Sequence, residues 1–91
     1  MNLFQKPSFK RTYKKLHANQ RKEVNDAIRA ITSNLILGEE KKGDLVGIRV
    51  HKFQVQNQLF LLAYSFDPDT LTLILLGVHE NFYKDLKISI T

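Results

Sequence analysis

The 91 residues are expected to form one domain, residues 1–91, around a single modest core, because a chain this short buries a smaller share of its surface than a longer one and leaves no room for a second domain. No cysteine is present, which excludes a disulfide framework, a thiolate zinc site and a cysteine nucleophile, and makes a reducing compartment the default. The net charge of +5 sits in residues 1–45, where ten Lys and Arg face five acids, while residues 46–91 carry four of each sign; a basic half of this kind suits a phosphate backbone and equally an ordinary solvated helix face.

The opening residues contain no apolar signal region, and no stretch approaches the roughly 18 continuous apolar residues of a membrane span, so a cytoplasmic protein with no membrane partner is expected. Leu3 to Lys6 is predicted as a short strand. Pro7 then suits the first turn of a helix, where its missing N–H is no loss, and Phe9, Tyr13 and Leu16 follow at helical spacing. Asn19, a good N-cap, is expected to open a second helix with Val24, Ala27, Ile28, Ile31 and Leu35 on one face. The two helices read as a hairpin joined near His17-Ala18-Asn19. Lys10, Lys14, Lys15, Arg21 and Lys22 fall on its polar positions, which is the solvated-face account of most of the basic charge.

Helical periodicity breaks in the charged, glycine-bracketed run from Gly38 to Asp44. Gly47 to Val55 then alternates, with Ile48 and Val50 on one side and Arg49, His51 and Phe53 on the other. Turns at Gln56-Asn57-Gln58 and Asp67-Pro68-Asp69-Thr70 delimit two further strands, Leu59 to Phe66 and Leu71 to Val78. Both are nearly continuous apolar runs, as in strands covered on both faces. His79 to Lys87 closes as a short helix. The order β-α-α-β-β-β-α predicts an α+β fold: a twisted antiparallel sheet with the helical hairpin packed on one face and a short C-terminal helix. Val24, Ile28, Ile31, Ile48, Val50, Leu62 and Ile74 are assigned to the packing between hairpin and sheet, which turns Arg49 and His51 to the open face.

The segment from Gly43 to Phe53, the strand Leu59-Phe60-Leu61-Leu62-Ala63-Tyr64 and the ending from Leu76 through Val78-His79-Glu80-Asn81-Phe82-Tyr83 to Lys87 resemble the RelE/ParE superfamily, the toxins of bacterial type II toxin-antitoxin systems. The resemblance covers nearly the whole chain, since the hairpin before the sheet matches in order and length. It implies a toxin held in check by a cognate acidic antitoxin that wraps helices and sheet, with operator DNA as a target of the toxin-antitoxin complex. Two activities are implied on this fold: cleavage of mRNA on the ribosome, in the RelE-like branch, and inhibition of DNA gyrase, in the ParE-like branch. A third possibility is a catalytically silent module that binds its antitoxin and represses its own operon.

Metal-independent RNA cleavage needs a group to take the proton of the 2′-hydroxyl, a group to protonate the leaving oxygen, and cations around the phosphate. Histidine transfers protons near neutrality and Arg offers a fork that fits phosphate oxygens. His79, at the junction of the last strand and last helix and followed by Phe82 and Tyr83, matches the arrangement of a catalytic histidine in the resembling nucleases; it is equally placed to be a turn or N-cap residue. RelE-like toxins carry an arginine at the comparable strand, where it meets the scissile phosphate, so the resemblance implies that role for Arg49; His51 beside it is a candidate second acid/base or RNA contact, and both also read as plain solvent-facing strand positions. Lys52, Lys84 and Lys87 are candidate phosphate contacts and Tyr83 a platform for an unpaired base, though Lys side chains also keep an edge soluble and Tyr83 could anchor its helix. The strand half lacks the Lys and Arg excess of the ribosome-dependent branch, which keeps the gyrase reading open. No metal is expected, since His17, His51 and His79 lack ligand spacing, and no cofactor, since no Gly-rich phosphate loop occurs.

Overall fold

The computed structural model describes residues 1–90. The chain runs β1 (Asn2–Gln5), α1 (Pro7–Lys15), α2 (Ala18–Ser33), β2 (Glu39–Glu40), a 3₁₀ turn (Gly43–Leu45), β3 (Arg49–Val55), β4 (Gln58–Phe66), β5 (Thr70–Val78) and α3 (Phe82–Ile90). The α+β architecture read from periodicity is present, with the β3-β4-β5 meander as its centre. Periodicity did not reveal that β1 pairs in parallel with β5, from Asn2↔Thr70 to Gln5↔Leu73, which makes a five-stranded mixed sheet of order β1-β5-β4-β3-β2. Parallel pairing carries no local sequence mark, because its partner lies a whole crossover away.

Pro7 occupies the first turn of α1 as expected. Helix α2 begins one residue after His17, whose backbone N–H donates to Gln20 Oε1 at 2.8 Å, and so starts earlier than Asn19 would allow. The Tyr13 hydroxyl donates to Asn25 Oδ1 at 2.8 Å and ties the two helices together. The β3-β4 turn places Gln56 at φ 49° and Asn57 at φ 70°, the paired left-handed conformations of a two-residue hairpin turn. In the β4-β5 turn, Asp67 Oδ1 accepts from the backbone N–H of Asp69 and of Thr70, both at 2.8 Å.

The sheet carries two apolar cores. On the hairpin face, Phe9, Val24 and Ile31 pack with Val55, Phe60, Leu62, Tyr64, Leu71 and Leu73, with Ile28 and Phe53 at the margin. Beneath α3, Leu45, Ile48 and Val50 pack with Leu61, Ala63, Ile74, Phe82 and Leu86. The assignment of Val24, Ile28, Ile31 and Leu62 to the hairpin-sheet interface therefore stands, whereas Ile48, Val50 and Ile74 belong to the other core. The physical reason is the second cover: α3 and the 3₁₀ turn need an apolar floor, and the Val50 face supplies it. A register shift at Ala63/Tyr64 leaves Ile74 outside the regular pairing, since Ala63 faces Leu75 and Tyr64 faces Leu73.

Candidate functional site

Strand alternation decides which candidate residues can meet. Val50 lies under α3, so Arg49, His51 and Phe53 face the opposite way, toward the hairpin, and the expectation that Arg49 and His51 line the open face with His79 is overturned. Arg49 is also engaged: its Nη1 donates to the carbonyl of Gly38 at 2.7 Å and to that of Ile36 at 3.3 Å, and its Nη2 stands 3.7 Å from Glu40. His51 stacks on Phe53, ring centres 5.5 Å apart, and burial pushes its pKa below the ordinary histidine value. Both residues are thus separated from the β5-α3 junction by the thickness of the sheet.

At that junction His79 is exposed in the turn between β5 and α3, and its carbonyl accepts from the Phe82 N–H at 3.2 Å. Asn81, at φ 64°, accepts the first helical bond, from Asp85 N–H at 3.0 Å, so the helix entry is closed by Asn81 and leaves the His79 imidazole unburdened by that capping role. His79 meets Tyr83 edge-on with ring centres 6.2 Å apart, and Tyr83 in turn is edge-on to buried Phe82 at 5.4 Å. Phe82 is the anchor of the helix, which frees Tyr83 to be only half-buried.

The same face gathers charge that the sequence reading did not assign. Lys41, the residue after β2, holds its Nζ 5.2 Å from the centre of the Tyr83 ring and pairs with Glu39. The hydrogen bond to Glu39 raises the Lys41 pKa, with Tyr83 adding to it against the opposing cost of burial; Lys41 lowers that of Glu39 by the same contact, and the charge of Lys52 adds to it. Lys52 shares the Val50 face of β3 and is exposed. Of the remaining candidates, Lys84 is exposed on α3, and Lys87 Nζ stands 3.9 Å from Asp44. The site is therefore His79, Tyr83, Lys41, Glu39 and Lys52: a histidine, an aromatic plane, a carboxylate and two ammonium groups on one face of the sheet. Only the β2 register could have revealed Lys41 and Glu39, because it sends alternate residues of the charged loop to this face.

A second concentration of positive charge lies on the hairpin. Lys10, Arg11, Lys14 and Lys15 of α1 and Arg21 of α2 line a groove of about 640 Å³ together with Gln5, Pro7 and Tyr13. Among the described residues, no three His, Asp or Glu side chains gather to hold a metal ion, and no helix is long and apolar enough to cross a membrane.

A family model described as the ParE-like toxin of type II bacterial toxin-antitoxin systems matches residues 3–87. Among solved structures, an arginine double mutant of the E. coli toxin RelE in the free state superposes with a TM-score of 0.75 at 14% identity, covering 99% of this chain and 97% of that one. The intact E. coli RelBE toxin-antitoxin complex gives a TM-score of 0.69 at 14% identity over 87% of this chain and 96% of that one. A Helicobacter pylori protein, HP0894, gives 0.52 at 23% identity over 87% and 94%. No curated relative matches the chain. At these identities the structural likeness speaks for the fold.

Proposed function

The chain belongs to the ParE-like toxins of type II bacterial toxin-antitoxin systems, and from that premise we propose that it is a cytoplasmic, single-domain endoribonuclease that cuts mRNA by metal-independent acid/base chemistry, without a cofactor, and is neutralised by an acidic antitoxin. The observation that supports this reading is the exposed His79 set edge-on to Tyr83, whose ring also carries the Lys41 ammonium. In the proposed reaction the 2′-hydroxyl of one nucleotide attacks the adjacent phosphorus, the bond from phosphorus to the 5′-oxygen breaks, and a 2′,3′-cyclic phosphate forms. One proton leaves the 2′-oxygen and one arrives at the 5′-oxygen. His79 is the group suited to deliver the second, since histidine exchanges protons near neutrality.

Lys41 and Lys52 are the cations for the phosphate, where negative charge builds in the transition state. Glu39 is the acceptor for the 2′-hydroxyl proton. In the free protein the hydrogen bond from Lys41 lowers the Glu39 pKa; when a phosphate draws the Lys41 ammonium away, Glu39 loses its counter-ion and becomes a better base. Tyr83 offers a face for a base. Arg49 and His51, on the other side of the sheet, do not touch the substrate in this reading.

The ParE-like description of the matching family supports a second reading, inhibition of DNA gyrase through protein contact. Primer extension on a translated message after induction separates the two. Endonucleolytic ends that appear with growth arrest support the nuclease, with the ribosome as the place of cleavage if untranslated messages are spared. Growth arrest with intact mRNA supports the gyrase reading.

A further inference from the structure

We propose that Tyr64 and Arg49 are positioning residues that clamp the α2-β2 connector through Gly38 and thereby hold Glu39 and Lys41 in place beside Tyr83 on the opposite face of the sheet. The functional meaning of that placement rests on the nuclease reading; the geometry does not.

Tyr64 is fully buried in the hairpin-face core, where a phenylalanine would fill the same space. Its hydroxyl nevertheless uses both of its capacities on one connector: it accepts from the Gly38 N–H and donates to the Leu35 carbonyl, each at 2.8 Å. Arg49 takes the next polar atom, with its Nη1 donating to the Gly38 carbonyl at 2.7 Å and the Ile36 carbonyl at 3.3 Å. Both backbone groups of Gly38 are therefore held by side chains. The fit is close enough to exclude any other residue, because a Cβ on Gly38 would lie 2.9 Å from the Tyr64 ring and hydroxyl and 3.0 Å from the Val50 carbonyl carbon.

Immediately downstream, Glu39 pairs with Val50, Glu40 pairs with Arg49, and Lys41 N–H donates to the Ile48 carbonyl at 2.9 Å. Alternation turns Glu40 toward Arg49 and sends Glu39 and Lys41 to the α3 face. A two-residue edge strand has too few ladder bonds to fix its own register. The clamp supplies what β2 lacks, so a side chain on one face of the sheet sets the charges on the other.

The test is a lysine-selective NMR titration of the Lys41 ammonium in the intact protein, for wild type, Tyr64→Phe and Arg49→Lys, with Ile31→Val as a control that loosens the same core while leaving the side-chain hydrogen bonds to Gly38 in place. The groups facing Lys41 are Glu39 and Tyr83, with Lys52 near Glu39. In wild type and in the control Lys41 titrates above the ordinary lysine value; in both clamp variants it returns toward that value and the Tyr83 ring resonances shift. Arg49→Lys keeps the charge but loses the planar guanidinium, whose Nη1 reaches both carbonyls while Nη2 faces Glu40, and it decides the matter if Tyr64→Phe does not fold. A folded clamp variant in which Lys41 and Tyr83 behave as in wild type overturns the proposal, and so does Ile31→Val moving Lys41 as far as the clamp variants do. RNA cleavage provides the second arm, slowed by up to about 100-fold in the clamp variants, the scale of a small misplacement of reacting groups. Clamp variants with displaced Lys41 that cut at the wild-type rate overturn the positioning role. A wild type that cuts no RNA refutes the nuclease reading and leaves the titration to decide the clamp.

Discussion

The Lys41 ammonium lies 5.2 Å from the centre of the Tyr83 ring, which joins the end of β2 to the first turns of α3 and brings a cation from the basic half of the chain to the neutral half. It makes up for the shortage of positive charge on β3 to β5. Lys52 is the other cation of this face near Glu39.

If these two lysines hold phosphates, their removal has a signature beyond weaker binding. The logarithm of the affinity for a single-stranded RNA should fall with the logarithm of salt concentration, and each of Lys41→Ala and Lys52→Ala should reduce that slope by about 0.7. Fluorescence anisotropy across a salt series measures it. Slopes identical to wild type for both variants would remove the lysines from the phosphate site.

The hairpin core should be fragile. Ile31 is fully buried among Phe9, Val24 and Leu62, so Ile31→Ala should cost on the order of 2–5 kcal/mol, a large part of the stability of a small domain. Ile28 is only partly buried, and Ile28→Ala should cost less. Denaturant midpoints for the pair test the order; a greater loss at Ile28 would show the register of α2 to be wrong.

His51 should make stability depend on pH. Burial lowers its folded pKa below the unfolded value of about 6.5, so the unfolded chain binds the extra proton more readily. The stabilising contribution is therefore present above the unfolded pKa and is lost as pH falls through the lower, folded pKa. Thermal melts in that window should show a drop that His51→Gln flattens. An unchanged pH profile in His51→Gln would place the titration elsewhere.

The groove of α1 and α2 suits an acidic partner segment, since Lys10, Arg11, Lys14, Lys15 and Arg21 border it with no acid among its lining residues. The on-rate of the cognate antitoxin should fall as salt rises and fall further in Lys10→Glu/Lys14→Glu. Stopped-flow rates insensitive to salt would exclude electrostatic steering.

Elements were legible in the sequence where periodicity is a local property. Pro7, the hydrophobic stripe through Val24 and Ile31, and the turn residues at 56–58 and 67–70 each fixed a piece of the α+β order, and the resemblance of the segment around His79 pointed to the family that the matching model identifies. Facing was not legible. Alternation separates Arg49 from Val50 but does not say which of them meets the hairpin, and with α3 covering the second face both sides of β3 carry apolar residues. Lys41 and Glu39 were hidden for a related reason: a two-residue strand inside a charged loop has no period to detect, and its register depends on Tyr64, far along the chain.

The most direct test is cleavage of a translated message, read by primer extension at matched soluble levels, for wild type, His79→Ala and His51→Ala. His79→Ala should lower the rate by about 100-fold to 10,000-fold, the range for loss of a positioned acid/base group, with the fold and antitoxin binding intact, while His51→Ala leaves the rate close to wild type. A His79→Ala protein that cuts as fast as wild type, or a His51→Ala protein that is folded and inactive, would contradict the site at the β5-α3 junction.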